Sequence, residues 1–478
     1  ILFFDRPYAP QFIFSDNVKP LVISPQTRHP ILYIIWFEWR LKNALKREKI
    51  DVFWSPDGFS CLSSSIPHII TIHDLNFEHN PKDLPWIVSR YFRFFFPKFS
   101  RKAKKIITVS EYSKKDICTT YGIKKEKVEV IYNAANITFR ELSEQEICDT
   151  KNEFTAGNDF FIFVGSLHPR KNIQNLIYAF ELFCVSNKSI KLVIVGSDMW
   201  KENNLVISDE VRKQLIFTGH IENSQLTKLM GAALALTYIP YFEGFGIPLV
   251  EAMICGIPII AANTTCLPEI AQDAAIYCNP FDVNDIAEKM LLVNSNSIIR
   301  EDLATKSLQR SKYFDWDIAA VKVEIEIEKI KMIFSWTILI IIIFIVTLIF
   351  SFTIEERTLK ICFWLVIFLL ALTIFNIVLS INYYIELRNL PFKMFASSIF
   401  STQGCDPNKK KGPKKNSKSF LINLFIKQAY LWVFYKNQRQ LKFIFTRRLI
   451  TISLIYAKSL VRDKMLLLFN NPQPLGHR

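Results

Sequence analysis

The sequence predicts an α/β chain: two parallel-sheet halves facing each other across a cleft, then a helical hairpin of membrane-spanning length and a basic tail. Three observations carry this. Up to residue 330, short β-branched or aromatic runs alternate with amphipathic stretches of helical period, the pattern of parallel strands covered by helices. Charge is divided unevenly: residues 1–330 hold 38 Lys and Arg against 39 Asp and Glu, whereas residues 331–478 hold 21 against 5. Two runs without a charged residue, Met332–Ile354 and Ile361–Ile385, are joined by only six residues.

Composition narrows the function classes. With 50% hydrophobic and 22% charged residues the chain has apolar material for packed cores and is not disordered. Nine scattered cysteines without a CxxC pair argue against a disulfide scaffold or a zinc ribbon, and for reduced thiols. The net charge of +15 belongs to the tail, so the body reads as a near-neutral enzyme rather than a nucleic-acid binder.

In chain order, strands are expected at Asp51–Ser55, His68–His73, Lys105–Ser110 and Val128–Asn133 in the first half. In the second half they are expected at Phe160–Gly165, Lys191–Gly196, Leu215–Gly219, Ala233–Ile239, Ile257–Ala262 and Ala274–Cys278. Several end in Gly, His or Asn, at the carboxyl edge where open α/β sheets bind ligands. The polar segment Glu141–Asn158 lacks a strand pattern and contains Gly157, so a boundary is expected there. The domains are then 1–152, 153–330 with a returning terminal helix, a hairpin at 331–390 and a basic tail at 391–478. Residues 332–478, the basic tail included, are open to a second reading, as a separate protein fused to the body, since Met332 begins a self-contained hydrophobic unit. The chain enters at a strand-like Ile1-Leu2-Phe3-Phe4 without an initiator Met, so the first domain is expected to be incomplete at its start.

Two loops carry the chemistry. After the Phe160–Gly165 strand come Ser166-Leu167-His168-Pro169-Arg170-Lys171-Asn172 and a helical run from Ile173. Cations at a helix start oppose the macrodipole unless an anion sits between them and the helix amides. Arg170 and Lys171 are therefore candidate anion ligands, with a pair of solvated surface cations as the alternative, and Gly165 lets backbone come close. The second loop, Glu243-Gly244-Phe245-Gly246-Ile247-Pro248-Leu249-Val250-Glu251, follows a strand and opens a helix, with Pro248 suited to its first turn. Its glycines leave bare amides toward a ligand. Glu243 and Glu251 could flank one polyhydroxylated molecule.

Together these motifs make Gly165–Met253 resemble the donor-binding domain of glycosyltransferase family 4, whose members have the two-Rossmann-domain GT-B fold. The resemblance rests on two Glu separated by seven residues (Glu243, Glu251), on the Pro-Arg-Lys-Asn loop at 169–172, and on Ile72-His73-Asp74, Val109-Ser110-Glu111-Tyr112-Ser113 and Ile131-Tyr132-Asn133-Ala134. It covers residues 1 to about 330. It implies transfer of a sugar, mannose by similarity, from a nucleoside-diphosphate sugar to a glycan or lipid-linked acceptor, with anomeric configuration retained, in cell-surface polysaccharide synthesis. It further implies that Arg170 and Lys171 hold the donor diphosphate and that Glu251 holds the ribose. Glu243 and the amides of Phe245 and Gly246 would contact the transferred sugar, with Ile247 and Gly165 among the donor-binding residues and His73 reaching the reacting centre from across the cleft. Many family members carry Arg directly after the glycine where this chain has Ser166, and the resemblance implies that Arg170 stands in for it.

No metal or other cofactor is expected. Asp315-Trp316-Asp317 has the DxD spacing of a metal-binding motif, but an N-cap Asp followed by a first-turn Asp explains it. Each uncharged run is long enough to cross a bilayer, about 34 Å for the first. The lysines at 409–418 put both ends of the hairpin in the cytoplasm, so the expected location is the cytoplasmic face of the inner or plasma membrane, anchored by residues 332–385. Arg101-Lys102-Ala103-Lys104-Lys105 reads either as a contact for anionic lipid or as a solvated helix end. No nucleic-acid partner is expected. The rival readings are a non-catalytic membrane scaffold with a degenerate transferase body, and a sugar-nucleotide epimerase or phosphorylase on the same fold.

Overall fold

A computed structural model describes residues 1–13, 15–196 and 205–332. The expected hairpin and tail lie outside these residues, and among the described residues no helix is long and apolar enough to cross a membrane. The first half holds a parallel pair, β1 (Leu2–Phe4) with β2 (Pro20–Val22). Beside it stands a four-stranded parallel sheet of β3 (Phe53–Ser55), β4 (His68–Thr71), β5 (Lys105–Thr108) and β6 (Val128–Val130), in that spatial order. The second half is one six-stranded parallel sheet of β7 (Phe160–Val164), β8 (Lys191–Val195), β9 (Leu215–Gly219), β10 (Ala235–Tyr238), β11 (Ile259–Ala262) and β12 (Ile276–Cys278). Its order is β12-β11-β10-β7-β8-β9.

All ten expected strands form, and most are shorter than their apolar runs. The runs continue because burial continues where the ladder stops: Ile72, Val109 and Ile131, just past β4, β5 and β6, remain buried under the loops. The carboxyl-terminal residues assigned to strands are therefore loop residues, which is where a parallel sheet keeps its site. The strand β2 was not expected, since Pro20-Leu21-Val22 is too short to show a period. The segment expected as a boundary carries the helix Glu144–Thr155, opened by a capping box between Ser143 and Glu146.

Packing follows from composition. β7 is buried along its whole length, and Phe161, Phe163, Phe180 and Phe183 fill the second core. A helix over residues 316–332 returns to the first half, where Ala319, Val323, Ile327 and Ile330 cover Ile69, Ile107 and Ile131. Lys105 Nζ lies 3.3 Å from Glu326 of that helix. Asp315 accepts from the amides of Asp317 and Ile318, at 2.6 and 3.3 Å, so the first acid of the DxD serves as a helix cap.

Candidate functional site

In the six-stranded sheet the chain winds outward in opposite directions from the neighbours β7 and β10, and such a switch point opens a crevice at the carboxyl ends of the two strands. The loops that leave these strands are the two singled out in the sequence. Together with the loops after β4, β5 and β6 they line a cleft of about 300 Å³, whose walls include His73, Asp74, Arg170, Lys171, Glu243 and the 244–248 turn.

Arg170 and Lys171 stand in a short turn, Pro169–Lys171, ahead of the helix Ile173–Cys184 rather than in it. His168 caps that turn, accepting from the Arg170 amide at 3.2 Å. Asn172 leaves it in a left-handed conformation (φ 62°), its side-chain amide donating to the carbonyls of Ile239 and Pro280. That anchorage ties the β7 loop to the β10 loop. The two cations are paired rather than free, and Arg170 remains partly exposed. Lys171 is 9% exposed, donates to the Tyr238 hydroxyl at 2.6 Å and pairs with Glu243. Arg170 Nη1 lies 3.2 Å from Asp74 Oδ2, across the cleft, and 3.7 Å from Glu243 Oε2.

Two cations and two carboxylates thus form a compact, formally neutral cluster. Burial pushes Lys171 below the ordinary lysine value, against the pull of Glu243. Burial also opposes the charge on Arg170, yet Glu243 and Asp74 outweigh it and raise its pKa. Burial raises the Tyr238 hydroxyl well above the tyrosine range, so it stays protonated.

The turn 244–246 touches the first half directly. A Cβ on Gly244 would stand 2.1 Å from the His73 carbonyl oxygen, so only glycine fits. Its carbonyl accepts from Ser110 Oγ at 2.7 Å. Gly246, at φ +88°, caps the helix Ile247–Ile254 and points the 245–247 backbone into the cleft wall. His73 is exposed, with Nε2 3.0 Å from the Pro56 carbonyl.

Of the residues singled out, His73, Arg170, Lys171, Glu243, Phe245, Gly246 and Ile247 line one cleft. Gly165 and Glu251 do not line it. Gly165 instead packs its backbone against that of Gly196, and Glu251 sits half-buried on the helix Ile247–Ile254. Among the described residues its carboxylate has no hydrogen-bond or ion-pair partner, and burial lifts its pKa to about 7.

Several residues escaped the sequence reading. Asp74 lies in Ile72-His73-Asp74 with no local sign of its reach to Arg170, and Tyr238 reads as core from its apolar strand. Glu269 carries no local signal: it accepts from the amides of Glu111 and Tyr112, at 2.8 and 2.9 Å, and from the Tyr132 hydroxyl at 2.9 Å. It thereby caps a first-half helix, Glu111–Tyr121, from the second half. Asp83 accepts from Tyr241 at 2.9 Å and forms a second such tie.

Residues 3–139 match the family model described as Glycosyltransferase Family 4, and residues 144–310 match Glycosyl transferases group 1. The chain is 27% identical over 307 residues to the O-antigen chain mannosyltransferase B of Escherichia coli, covering 61% of this chain and 78% of that protein. It is 31% identical over 217 residues to the O-antigen chain mannosyltransferase RfbU of Salmonella typhimurium, covering 45% of this chain and 57% of that one. Among solved structures, Anabaena HepE in complex with UDP-glucose superposes with a TM-score of 0.55 at 17% identity, over 67% of this chain and 88% of that one. WaaG, a glycosyltransferase involved in lipopolysaccharide biosynthesis, superposes with a TM-score of 0.53 at 18% identity, over 65% and 88%. The two family models abut at the junction of the two sheets and between them take in the whole cleft. Residues 3–139 and 144–310 therefore carry glycosyltransferase domains of family 4 and group 1, on a GT-B-like fold.

Proposed function

We propose that this chain transfers mannose from a nucleoside-diphosphate mannose to a glycan or lipid-linked acceptor of a cell-surface polysaccharide, with retention of configuration and without a divalent metal. The observation that carries the reading is the Arg170–Lys171 pair at the switch point, Lys171 buried and Arg170 partly open to the cleft, facing the bare 245–247 turn. Diphosphate departure needs positioned positive charge and dipoles more than a side-chain nucleophile. An entering diphosphate would exchange its own oxygens for the carboxylates now facing Arg170. Glu243 keeps Lys171 charged and in place while that happens. Glu251, half-buried and unpaired, suits the ribose hydroxyls, and His73 reaches the cleft from the opposite half. Mannose comes from the relatives, which are mannosyltransferases of O-antigen synthesis.

The uncharged runs at 332–354 and 361–385 and the basic tail support anchorage at the cytoplasmic face of the inner or plasma membrane. The test is a thermal-shift and product screen of GDP- and UDP-sugars on the full chain, with and without exhaustive EDTA. A shift and a retained-configuration product with GDP-mannose, unchanged by EDTA, is expected. Transfer from another sugar alone overturns the mannose assignment. Loss of activity that Mn²⁺ or Mg²⁺ restores overturns the metal-free reading.

A further inference from the structure

The ties between the two halves fall into two kinds. Glu269 binds the amides of Glu111 and Tyr112, Asp83 binds the Tyr241 hydroxyl, and Ser110 Oγ donates to the Gly244 carbonyl. None of these spends Arg170 or Lys171. The Asp74–Arg170 pair does: Arg170 Nη1 of the second half stands 3.2 Å from Asp74 Oδ2 of the first. A diphosphate needs the same guanidinium, so this tie and the ligand compete for it.

Asp74 is placed to compete. Its other oxygen, Oδ1, accepts from the Asn76 amide at 2.9 Å, a local turn that fixes the carboxyl group. A Cβ on Gly244 would stand 2.9 Å from the Asp74 Cβ, so the stem of the side chain lies against the donor turn. With one oxygen anchored and the stem packed, Oδ2 stays at the anion site when Arg170 turns to a ligand. The neighbouring pair is of another kind. The side chains of Lys171 and Glu243 are 11% and 8% exposed, those of Arg170 and Asp74 25% and 21%. The first pair is sealed and permanent; the second opens on the cleft and can be exchanged.

Charge separates a sugar-bearing donor from a spent one. In a nucleoside-diphosphate sugar the terminal phosphate is a diester; once the sugar has left it is a monoester and carries roughly one more negative charge near neutral pH. Asp74 Oδ2 faces both. With the sugar in place, hydroxyl donors are at hand for a carboxylate to accept from. With the sugar gone, Oδ2 is left against a more negative group with Arg170 as the cation to regain. We infer that Asp74 is a positioning residue that discriminates against the spent nucleoside diphosphate. It yields Arg170 to the sugar-bearing donor and reclaims it after transfer, which drives the product out. No covalent bond changes in this step; one ion pair replaces another. The inference rests on the transferase reading above and adds product release to it.

The experiment is calorimetric titration of the full chain with GDP and GDP-mannose, and with UDP and UDP-glucose, for the parent, Asp74→Asn and Asp83→Asn. Asn keeps the shape of Asp74 and an oxygen to accept from the Asn76 amide, and drops the charge. Asp74→Asn should bind the nucleoside diphosphate about tenfold more tightly, and the sugar-bearing form no more than about twofold more tightly. Inhibition of turnover by that diphosphate should strengthen by about the same tenfold. Asp83→Asn, which weakens a tie without freeing a cation, should keep the parent's ratio of the two affinities. Asp74→Ser, which can also accept from the Asn76 amide, carries the same expectation if the Asn variant does not fold. Equal tightening of both forms overturns the inference, since Asp74 would then block the site without discriminating. Weaker diphosphate binding overturns it too, because Asp74 would be orienting Arg170 for the ligand. An equal change of ratio in Asp83→Asn would trace the effect to loosened halves and overturn it as well. A parent chain that binds none of the four ligands sinks the transferase reading itself, and this inference with it.

Discussion

The cleft and the outer face of the helix Trp86–Lys102 both concentrate cations, and they treat them in opposite ways. In the cleft each cation is matched: Lys171 by Glu243, Arg170 by Asp74 and Glu243, all within one desolvated cluster. On the helix face Arg90, Lys98 and Arg101 rest on aromatic rings or in solvent. A buried charge needs its partner to exist at all, whereas an exposed one can wait for an external anion. The first arrangement sets geometry before a ligand arrives; the second supplies attraction without geometry.

The largest effect that would break this contrast is expected at Lys171. Lys171→Ala leaves Glu243 charged and buried and deprives the Tyr238 hydroxyl of its donor, at a cost of about 3–5 kcal/mol. Removing Glu243 as well, in a Lys171→Ala/Glu243→Ala double variant, should recover part of that stability without recovering donor binding. Lys98→Ala, on the open face, should change stability by less than about 0.5 kcal/mol. Urea melts of the three variants decide the matter. A Lys171→Ala protein as stable as the parent would mean that the cluster is not a buried pair.

The same contrast explains what the sequence could tell. Strands and the loops behind them were legible because burial on both faces writes continuous apolar runs, as at Phe160–Val164, and because glycines and prolines mark the turns. The loop 166–172 was legible as cationic but not as buried. Nothing local to Arg170-Lys171 distinguishes solvated cations from paired ones, because Asp74 and Glu243 are 96 and 72 residues away from their partners. Glu251 was legible as a carboxylate at a helix start, but not that it stands outside the cleft lining. The helix Glu144–Thr155 shows the converse: its capping box, Ser143 with Glu146, is written in the sequence, but the polarity of the segment masks the helix behind it.

A smaller effect should come from the ties between the halves. Glu269 spends its carboxylate on two amides at the start of Glu111–Tyr121 and on Tyr132, contacts that exist only while the halves meet. Glu269→Ala should cost about 1–3 kcal/mol of closed-state stability, the range for hydrogen bonds to a charged group. Glu269 lies outside the cleft lining, so turnover should fall more than donor affinity, and small-angle scattering should show a larger radius of gyration. If donor affinity falls as steeply as turnover, Glu269 acts on the site itself rather than through the joint.

The last effect, and the one that sharpens the contrast most, concerns Glu251, a carboxylate treated in neither way: half-buried, yet unmatched. Burial raises its pKa from 4.5 to about 7 in the folded chain. A raised acid binds its proton more tightly when folded, so its contribution to stability is present below about pH 4.5 and is lost as the pH rises through 7. The parent chain should therefore lose melting temperature between pH 5 and 8 relative to Glu251→Gln, which keeps the shape and never ionises. The two curves should coincide below about pH 4.5. Donor binding adds a second sign. Hydroxyls that hydrogen-bond to the carboxylate favour its charged form, so binding should release roughly half a proton near pH 7. Calorimetry of nucleotide-sugar binding in buffers of different ionisation enthalpy measures that proton directly, and Glu251→Gln should release none. A parent chain that also releases none, while still binding the donor, would show that the ribose lies elsewhere and that Glu251 is simply an unpaired acid of the helix Ile247–Ile254.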